Sequence, residues 1–278
     1  MRNPSVVEDV SVVATTRESK DVAQRRNLDF FKGVPQASIS VGPYNMPTPL
    51  FYYDFTGLMV TFVTPLSRIR ALLPSPVMQP LRLTPWHGVT IVGAFEYRDT
   101  DIGPYNEVGV MFPITLHKPA PVLTGLLKAL AEGPMTYIWH LPVTTEVARC
   151  LGVEHAGFPK FVADIQFDRH AGWIDCRVAE GDSHILTLSV REIPLRDAGR
   201  LPLHMTTVHS GRILHLVANN QLHRLGISRN PSNVRLELGS HSIAQELRRL
   251  GLGRMMECHY FPSGQVILSA PLESYDLS

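Results

Sequence analysis

A lysine in apolar surroundings is the residue of this chain most capable of covalent chemistry. Lys160 stands in the segment GFPKFVA, residues 157–163, between two phenylalanines. Because an ammonium ion is costly to bury, a lysine that folds into such surroundings can shed its proton and remain as a neutral amine. A neutral amine attacks ketones, so Lys160 is a candidate Schiff-base nucleophile. A surface lysine at the end of a turn fits the same local sequence.

Carboxyl and imidazole groups supply candidates for proton transfer to such an amine. Glu107 ends the segment GPYNE, and a carboxyl near a Schiff-base lysine can carry the proton that imine formation and collapse require. Tyr105, two residues earlier, would share its face of a strand. His155 beside Glu154 could form an acid/base pair five residues before Lys160. A surface glutamate and a structural histidine are the alternative readings.

The sequence offers little support for a metal or a nucleotide. The 12 histidines include a run over 204–223, but no HExxH occurs and no carboxylate stands at ligand spacing. The 3 cysteines form no CxxC and suit buried thiols in a reducing cytoplasm. Glycine-rich phosphate loops and GxSxG are missing. We therefore expect neither a metal nor an organic cofactor.

The amino-acid composition is typical of a globular protein with a large core. Hydrophobic residues make up 44% and charged residues 18% of the 278 residues. The net charge of +1 gives no reason to expect nucleic acid or an anionic membrane as a partner. The N-terminus is charged and unlike a signal peptide, and no apolar run is long enough to span a membrane. The sequence predicts a cytoplasmic protein whose partner is a small molecule.

The elements expected around the candidate residues are mostly strands. Residues 1–49 read as an N-terminal arm, with a helix at 17–31, and an extended wrap whose glycines and prolines exclude regular structure. Residues 50–278 read as one domain, an antiparallel closed barrel or sandwich with a few peripheral helices. Strands are expected at 52–63, 89–97, 107–116, 137–140, 162–167, 173–178, 184–193, 234–238 and 255–268. Helices are expected at 66–73, 122–132, after a Thr144-Thr145 cap, and at 243–250.

Several of these segments together resemble the acetoacetate decarboxylase superfamily. GFPKFVADI resembles its reactive-lysine segment, and GPYNE followed by VGVMFPITL resembles the segment that ends in an active-site glutamate. Residues 66–76, 234–238, Ser240-His241 and 267–271 are similar to its first short helix and its closing strands and linker. The resemblance is collinear over residues 50–272. It implies the same mostly β fold, Lys160 as the imine-forming lysine and Glu107 as the proton shuttle.

Two departures from the superfamily pattern bear on the substrate. A second lysine follows the first in the well-studied decarboxylases, whereas Phe161 stands here. Their first strand region also carries an arginine near the substrate carboxylate, whereas residues 52–55 read YYDF, and Asp54 would repel a carboxylate there. Small free β-keto acids should therefore be poor substrates, and a larger apolar ketone should be preferred. Residues expected to line the pocket are Tyr105, Phe158, Phe161 and Phe55.

The sequence is compatible with three functions. The first is decarboxylation of a β-keto acid, and the second is an aldolase, dehydratase or cyclase reaction of a larger ketone with the same lysine. The third is a binding protein on the same scaffold without turnover. A homo-oligomer is expected. The segment 118–136, which is longer than in compact decarboxylases, could wall the pocket, contact another subunit or cover the core.

Overall fold

The computed structural model describes residues 27–117 and 135–277. Residues 27–33 belong to one unit, with a short 3-10 turn at Asp29–Phe31, and residues from 34 onward form a second, compact unit. The helix expected at 122–132 and most of the one expected at 17–31 lie outside the described residues.

The second unit is built largely of strands. Strands β1 to β8 span Ala37–Val41, Tyr44–Thr48, Leu50–Pro65, Met78–Pro80, His87–Thr100, Tyr105–Leu116, Met135–His140 and Asp164–His170. Strands β9 to β17 span Trp173–Glu180, Ser183–Arg191, Arg196–Asp197, Arg200–His209, Arg212–Leu222, Arg224–Ser228, Val234–Leu238, Met255–Leu268 and Glu273–Asp276. Helices α1 to α3 span Leu66–Arg70, Glu146–Ala156 and Ser242–Leu250, and a 3-10 turn lies at Pro231–Asn233.

The largest sheet closes on itself. Hydrogen-bonded neighbours follow in the order β16, β3, β5, β6, β7, β12 and β13, and β13 pairs again with β16. Each of these pairs is antiparallel except β7 with β12, which is parallel. Strands β15, β10, β9 and β8 form a separate four-stranded antiparallel sheet. The two sheets pack together, so the arrangement is a sandwich built on a closed sheet and not a simple barrel.

Alternating side chains on the central strands divide the interior into two layers. On β6, Val110 and Phe112 belong to the apolar cluster shared with the four-stranded sheet. Tyr105 and Met111 belong to the cluster on the other face of the same strand. Glu107 has the parity of Tyr105, and side chains two apart on a strand share a face. The strand therefore turns the Glu107 carboxyl into the second layer.

The predicted mostly β fold with few helices is confirmed. All nine expected strands exist, with ends displaced by a few residues, and Thr145 caps α2 as expected. The expectation that residues 33–50 form no regular element is wrong, because β1 and β2 pair as a hairpin there. Strands β12 and β13 were not anticipated, since their histidines and polar residues interrupt the apolar pattern that reveals a strand.

Candidate active site

A glycine at the end of helix α2 sets the direction of the lysine segment. Gly157 has φ +65°, a left-handed conformation that glycine adopts without strain, and its N–H donates to the carbonyl of Val153. The next N–H, that of Phe158, donates to the Gly152 carbonyl at 2.9 Å. The chain thus turns back along the helix, which brings Lys160 beside Gly152.

A single residue, Val143, ties the lysine segment to the glutamate strand. Its N–H donates to the Phe161 carbonyl and its carbonyl accepts from the Ala163 N–H, both at 2.9 Å. Val143 also forms an antiparallel bridge with Glu107. The lysine segment and strand β6 thus lie on the two sides of Val143 and pair with it. This pairing brings the backbone of Lys160 near that of Glu107.

The Lys160 amine and the Glu107 carboxyl meet in the interior. Lys160 Nζ lies 2.7 Å from Glu107 Oε2, and the two side chains are 7% and 11% exposed. Glu107 Oε2 is buried and makes no well-aligned hydrogen bond within the described residues. Its close polar neighbour is the Lys160 amine. The surface positions that fitted the local sequences of Lys160 and Glu107 are therefore wrong, because both side chains are buried and in direct contact. A carboxylate and an amine at this distance can exchange a proton directly.

Three buried tyrosines surround the pair. The hydroxyls of Tyr52 and Tyr105 share a hydrogen bond of 2.9 Å, and the Tyr97 hydroxyl lies 3.5 Å from Glu107 Oε1. Burial raises the pKa of all three phenols, and the negative charge of Glu107 raises them further. The phenols therefore stay protonated and act as hydrogen-bond donors, not as bases. Lys160 Nζ also lies 5.6 Å from the centre of the Tyr105 ring and 5.5 Å from that of Phe158.

Lys160 lies between two cavities, to which Tyr52, Phe158 and Leu268 also contribute. The first, which we call the helix-side cavity, is bounded by α2 and the β1–β3 region. Its described lining consists of Met46, Thr48, Leu50, Tyr52, Ile102, Tyr105, Ala148, Leu151, Gly152, His155, Ala156, Phe158, Lys160, Leu216, Leu268 and Ser269. The second, the glutamate-side cavity, contains Glu107 and Tyr97 with mostly apolar side chains, including Phe95, Met111, Ile138 and Met205.

The structure brings most of the predicted pocket residues together, but not all. Tyr105 and Phe158 line the helix-side cavity as expected. The placement of Phe161 in the pocket is wrong. Phe161 lines neither cavity and packs instead on the cluster shared with the four-stranded sheet. The placement of Phe55 is also wrong, because its ring packs on Tyr97 and Phe261 behind the cavity wall.

The expected repulsion by Asp54 needs correction as well. Both Asp54 oxygens accept from Arg98 at 2.8 Å, and this ion pair lies away from the cavities. Asp54 therefore neither repels nor binds a substrate carboxylate. Arg149 is engaged with Glu146 and does not reach the cavities either. Among the described residues no arginine lines either cavity, so the missing clamp is not replaced from elsewhere in that part of the chain.

Gly152, Tyr52 and Tyr97 are site residues that the sequence did not reveal. A glycine inside a predicted helix is destabilising relative to alanine and was the available signal for Gly152. Nothing local distinguishes Tyr52 or Tyr97 from the other aromatic residues of the strands. They become site residues because β3 and β5 are neighbours of β6 in the closed sheet.

Histidines, cysteines and carboxylates do not gather into a metal site. Within residues 27–117 and 135–277 no group of three or more of these side chains could hold a metal ion. All three cysteines are buried and free. The described helices are all too short or too polar to cross a membrane.

Solved structures show to which class this fold belongs. An acetoacetate decarboxylase from Legionella pneumophila subsp. pneumophila str. Philadelphia 1 aligns with a TM-score of 0.59 at 15% identity, over 88% of this chain and 94% of that one. The enduracididine biosynthesis enzyme MppR, complexed with pyruvate, aligns with a TM-score of 0.57 at 14% identity, over 82% and 90% of the two chains. The fold is thus that of the acetoacetate decarboxylase-like proteins.

A comparison of the sequence with family models identifies the family within this class. Residues 34–270 match the family model described as acetoacetate decarboxylase. The chain therefore belongs to the acetoacetate decarboxylase family. No curated protein matches it.

Proposed function

We propose that this protein is a Schiff-base lyase that uses Lys160 on a keto substrate, with decarboxylation of a β-keto acid as the leading reaction. The observation that carries the proposal is the 2.7 Å contact of Lys160 Nζ with Glu107 Oε2 inside an apolar interior. Buried lysines are rare, and one that is held beside a proton acceptor and two cavities has the surroundings that imine chemistry needs. Family membership points the same way.

Imine formation begins when the proton shared by Lys160 and Glu107 moves to the carboxylate. When the proton lies on Glu107, the Lys160 nitrogen has a free electron pair and attacks the substrate carbonyl carbon. One amine proton moves to the former carbonyl oxygen, which gives the carbinolamine. Glu107 then donates its proton to the carbinolamine hydroxyl, which leaves as water, and the product is an iminium ion. The two protons of the departing water thus come from the Lys160 amine and from Glu107.

Bond cleavage follows from the electron demand of the iminium. The electron pair of the bond between the α-carbon and the carboxylate moves toward the positive nitrogen. Carbon dioxide leaves, and an enamine remains. Protonation of its α-carbon and hydrolysis release the ketone and the amine. The apolar walls keep water scarce, which strengthens the electrostatic interactions of the charged intermediate with its surroundings.

A second candidate is an aldolase, dehydratase or cyclase reaction of a larger, apolar ketone. It is supported by the missing arginine, because the described lining of both cavities holds no guanidinium to bind a substrate carboxylate. The same fold is also found in MppR with a condensation product of pyruvate and imidazole 4-carboxaldehyde bound. The lysine and the glutamate would act in the same way up to the iminium.

Product analysis separates these reactions. The purified full-length protein is incubated with β-keto acids of increasing chain length, and with pyruvate or an apolar ketone plus an aldehyde. Carbon dioxide release supports the decarboxylase, and a new conjugated enone absorbance supports the condensation reaction. Lys160→Arg is the matched control, because guanidinium stays charged and forms no imine. If neither product forms above that control, the protein is a binding protein and the proposal fails.

The expected homo-oligomer stays a prediction, as does the cytoplasmic location. Light scattering coupled to size exclusion determines the number of subunits directly. The role of the segment 118–136 also stays a prediction, since residues 118–134 lie outside the described ranges.

A further inference from the structure

One histidine beside the site has no function in the proposed imine formation and bond cleavage. His155, on α2, lines the helix-side cavity together with Lys160. Its Nε2 atom is buried and has no hydrogen-bond partner within the described residues. Glu154, the expected partner, is exposed and instead accepts from the Cys150 thiol. Buried polar atoms are nearly always paired, so this unpaired nitrogen, on a residue that lines the cavity, has an unused hydrogen-bonding capacity.

The other polar groups of this cavity cannot accept a proton from carbon. Thr48 and Ser269 carry hydroxyls that are poor bases at neutral pH. Tyr52 and Tyr105 are held protonated, since burial raises the pKa of both phenols. Glu107 lines the glutamate-side cavity and not this one. Burial lowers the pKa of His155, which favours the neutral imidazole that can accept a proton.

The helix places the imidazole close to the lysine. The Lys160 stem packs against Gly152, and residues three apart on a helix lie on the same face. His155 is three residues from Gly152, and both residues line the helix-side cavity together with Lys160. Glu107 approaches the lysine nitrogen from the other cavity. His155 and Glu107 thus line two different cavities, and Lys160 lines both of them.

We propose that His155 is a catalytic residue that moves the proton at the substrate carbon next to the iminium. The inference rests on the proposed imine chemistry of Lys160 and assigns it a second acid/base group. The unprotonated Nε2 takes a proton from the α-carbon, and the carbon–hydrogen electron pair forms a carbon–carbon double bond. The iminium π pair moves onto nitrogen, which gives a neutral enamine and an imidazolium. In reverse, the imidazolium protonates the enamine carbon.

A division of labour explains why two groups are present. In an iminium, the α-carbon is two bonds away from the lysine nitrogen. Glu107, which contacts Nζ directly, is placed for proton transfer at nitrogen and oxygen. His155 lines the helix-side cavity, where a substituent of a ketone bound to Lys160 has room. Aldol and dehydration reactions require an acid/base group that moves a proton at this carbon.

Deuterium exchange tests this assignment without knowledge of the natural substrate. Acetone and 4-phenylbutan-2-one are incubated in D₂O with the wild-type protein and with His155→Gln and His155→Asn. Exchange at the α-carbon is followed by NMR, and imine formation is measured on the same samples by borohydride trapping and mass spectrometry. The matched control is His170→Gln, which changes an exposed histidine at the β8–β9 turn.

The expected result is that both His155 variants trap ketone as the wild type does but exchange deuterium at least about tenfold more slowly, in line with the usual contribution of a general base. Retained exchange in these variants would overturn the assignment. A parallel loss of trapping and exchange would overturn it as well, because His155 would then only support the lysine. If the wild type itself forms no trapped adduct, the proposed Schiff-base function fails first, and this result is distinct from the other two.

Discussion

The stem of Lys160 occupies the place where a side chain at Gly152 would be. An ideal Cβ at position 152 would lie 2.4 Å from Lys160 Cδ and 2.7 Å from Cε, closer than van der Waals contact permits. Gly152 is buried in the interior of α2, where glycine is less favourable than alanine. Glycine lowers the helix propensity at this position. Its missing side chain leaves room along the helix surface for the Lys160 stem, whose amine contacts Glu107.

Gly152→Ala should separate activity from stability. The new methyl displaces the lysine stem and draws Nζ away from Glu107, so imine formation should fall by at least about tenfold, as expected when a reacting group is misplaced by about 1 Å. Helix propensity favours alanine by about 1 kcal/mol, so the unfolding midpoint should not drop much. The measurements are borohydride trapping and urea unfolding. The control is Gly199→Ala, where a Cβ meets nothing within 4 Å. A variant that traps ketone at the wild-type rate would contradict the packing argument.

Glu107→Gln should slow turnover by about 10²-fold or more, because the amide cannot carry the proton between Lys160 and the substrate oxygen. The measurement is the steady-state rate on the best substrate of the product survey, and circular dichroism checks that the variant folds. Glu237→Gln, an exposed site on β15, is the matched control and should keep full activity. Unchanged turnover in Glu107→Gln would remove the carboxyl from the mechanism.

Thr145→Ala should destabilise the protein by about 0.5–1 kcal/mol, the lower part of the range for a lost N-cap. The Thr145 hydroxyl accepts from the Ala148 N–H at 3.4 Å, a long hydrogen bond, so the smaller effect is expected. The free energy of unfolding from urea titration measures the change. Thr145→Ser keeps the hydroxyl and should lie close to wild type. Equal stability of the alanine and serine variants would show that the cap contributes nothing.

Acetoacetate should be a poor ligand compared with a neutral apolar ketone. A hydrogen bond to a charged group contributes about 1.5–3 kcal/mol, and the described cavity lining offers no arginine to make one with a carboxylate. Half-saturation of borohydride trapping should therefore need at least about tenfold more acetoacetate than 4-phenylbutan-2-one. Efficient decarboxylation of acetoacetate at low concentration would refute this and would restore acetoacetate as the leading substrate.

The prediction that Lys160 and Glu107 belong to one site came from the resemblance of their two segments to the superfamily, because the local sequence of each residue also fitted a surface position. The sequence could not predict which neighbours line the cavity, since adjacency in sequence does not fix the direction of a side chain. Phe161 adjoins Lys160 and lines neither cavity, whereas Tyr97, ten residues from Glu107 in the chain, lies at the carboxyl. That contact depends on the register of β5 with β6, which no local pattern specifies. The ion pair of Asp54 with Arg98 was hidden for the same reason.

The central claim is that Lys160 forms an imine, and borohydride trapping followed by peptide mass mapping tests it most directly. The wild-type protein and Lys160→Arg are incubated with 4-phenylbutan-2-one, acetone or acetoacetate, reduced and digested. Our account predicts one reduced adduct on the wild-type peptide that contains Lys160 and none on that peptide in the variant. Lys32, whose side chain is 76% exposed, reports nonspecific reaction. Absence of an adduct at Lys160 with every ketone, or labelling of Lys32 to the same extent, would contradict the account.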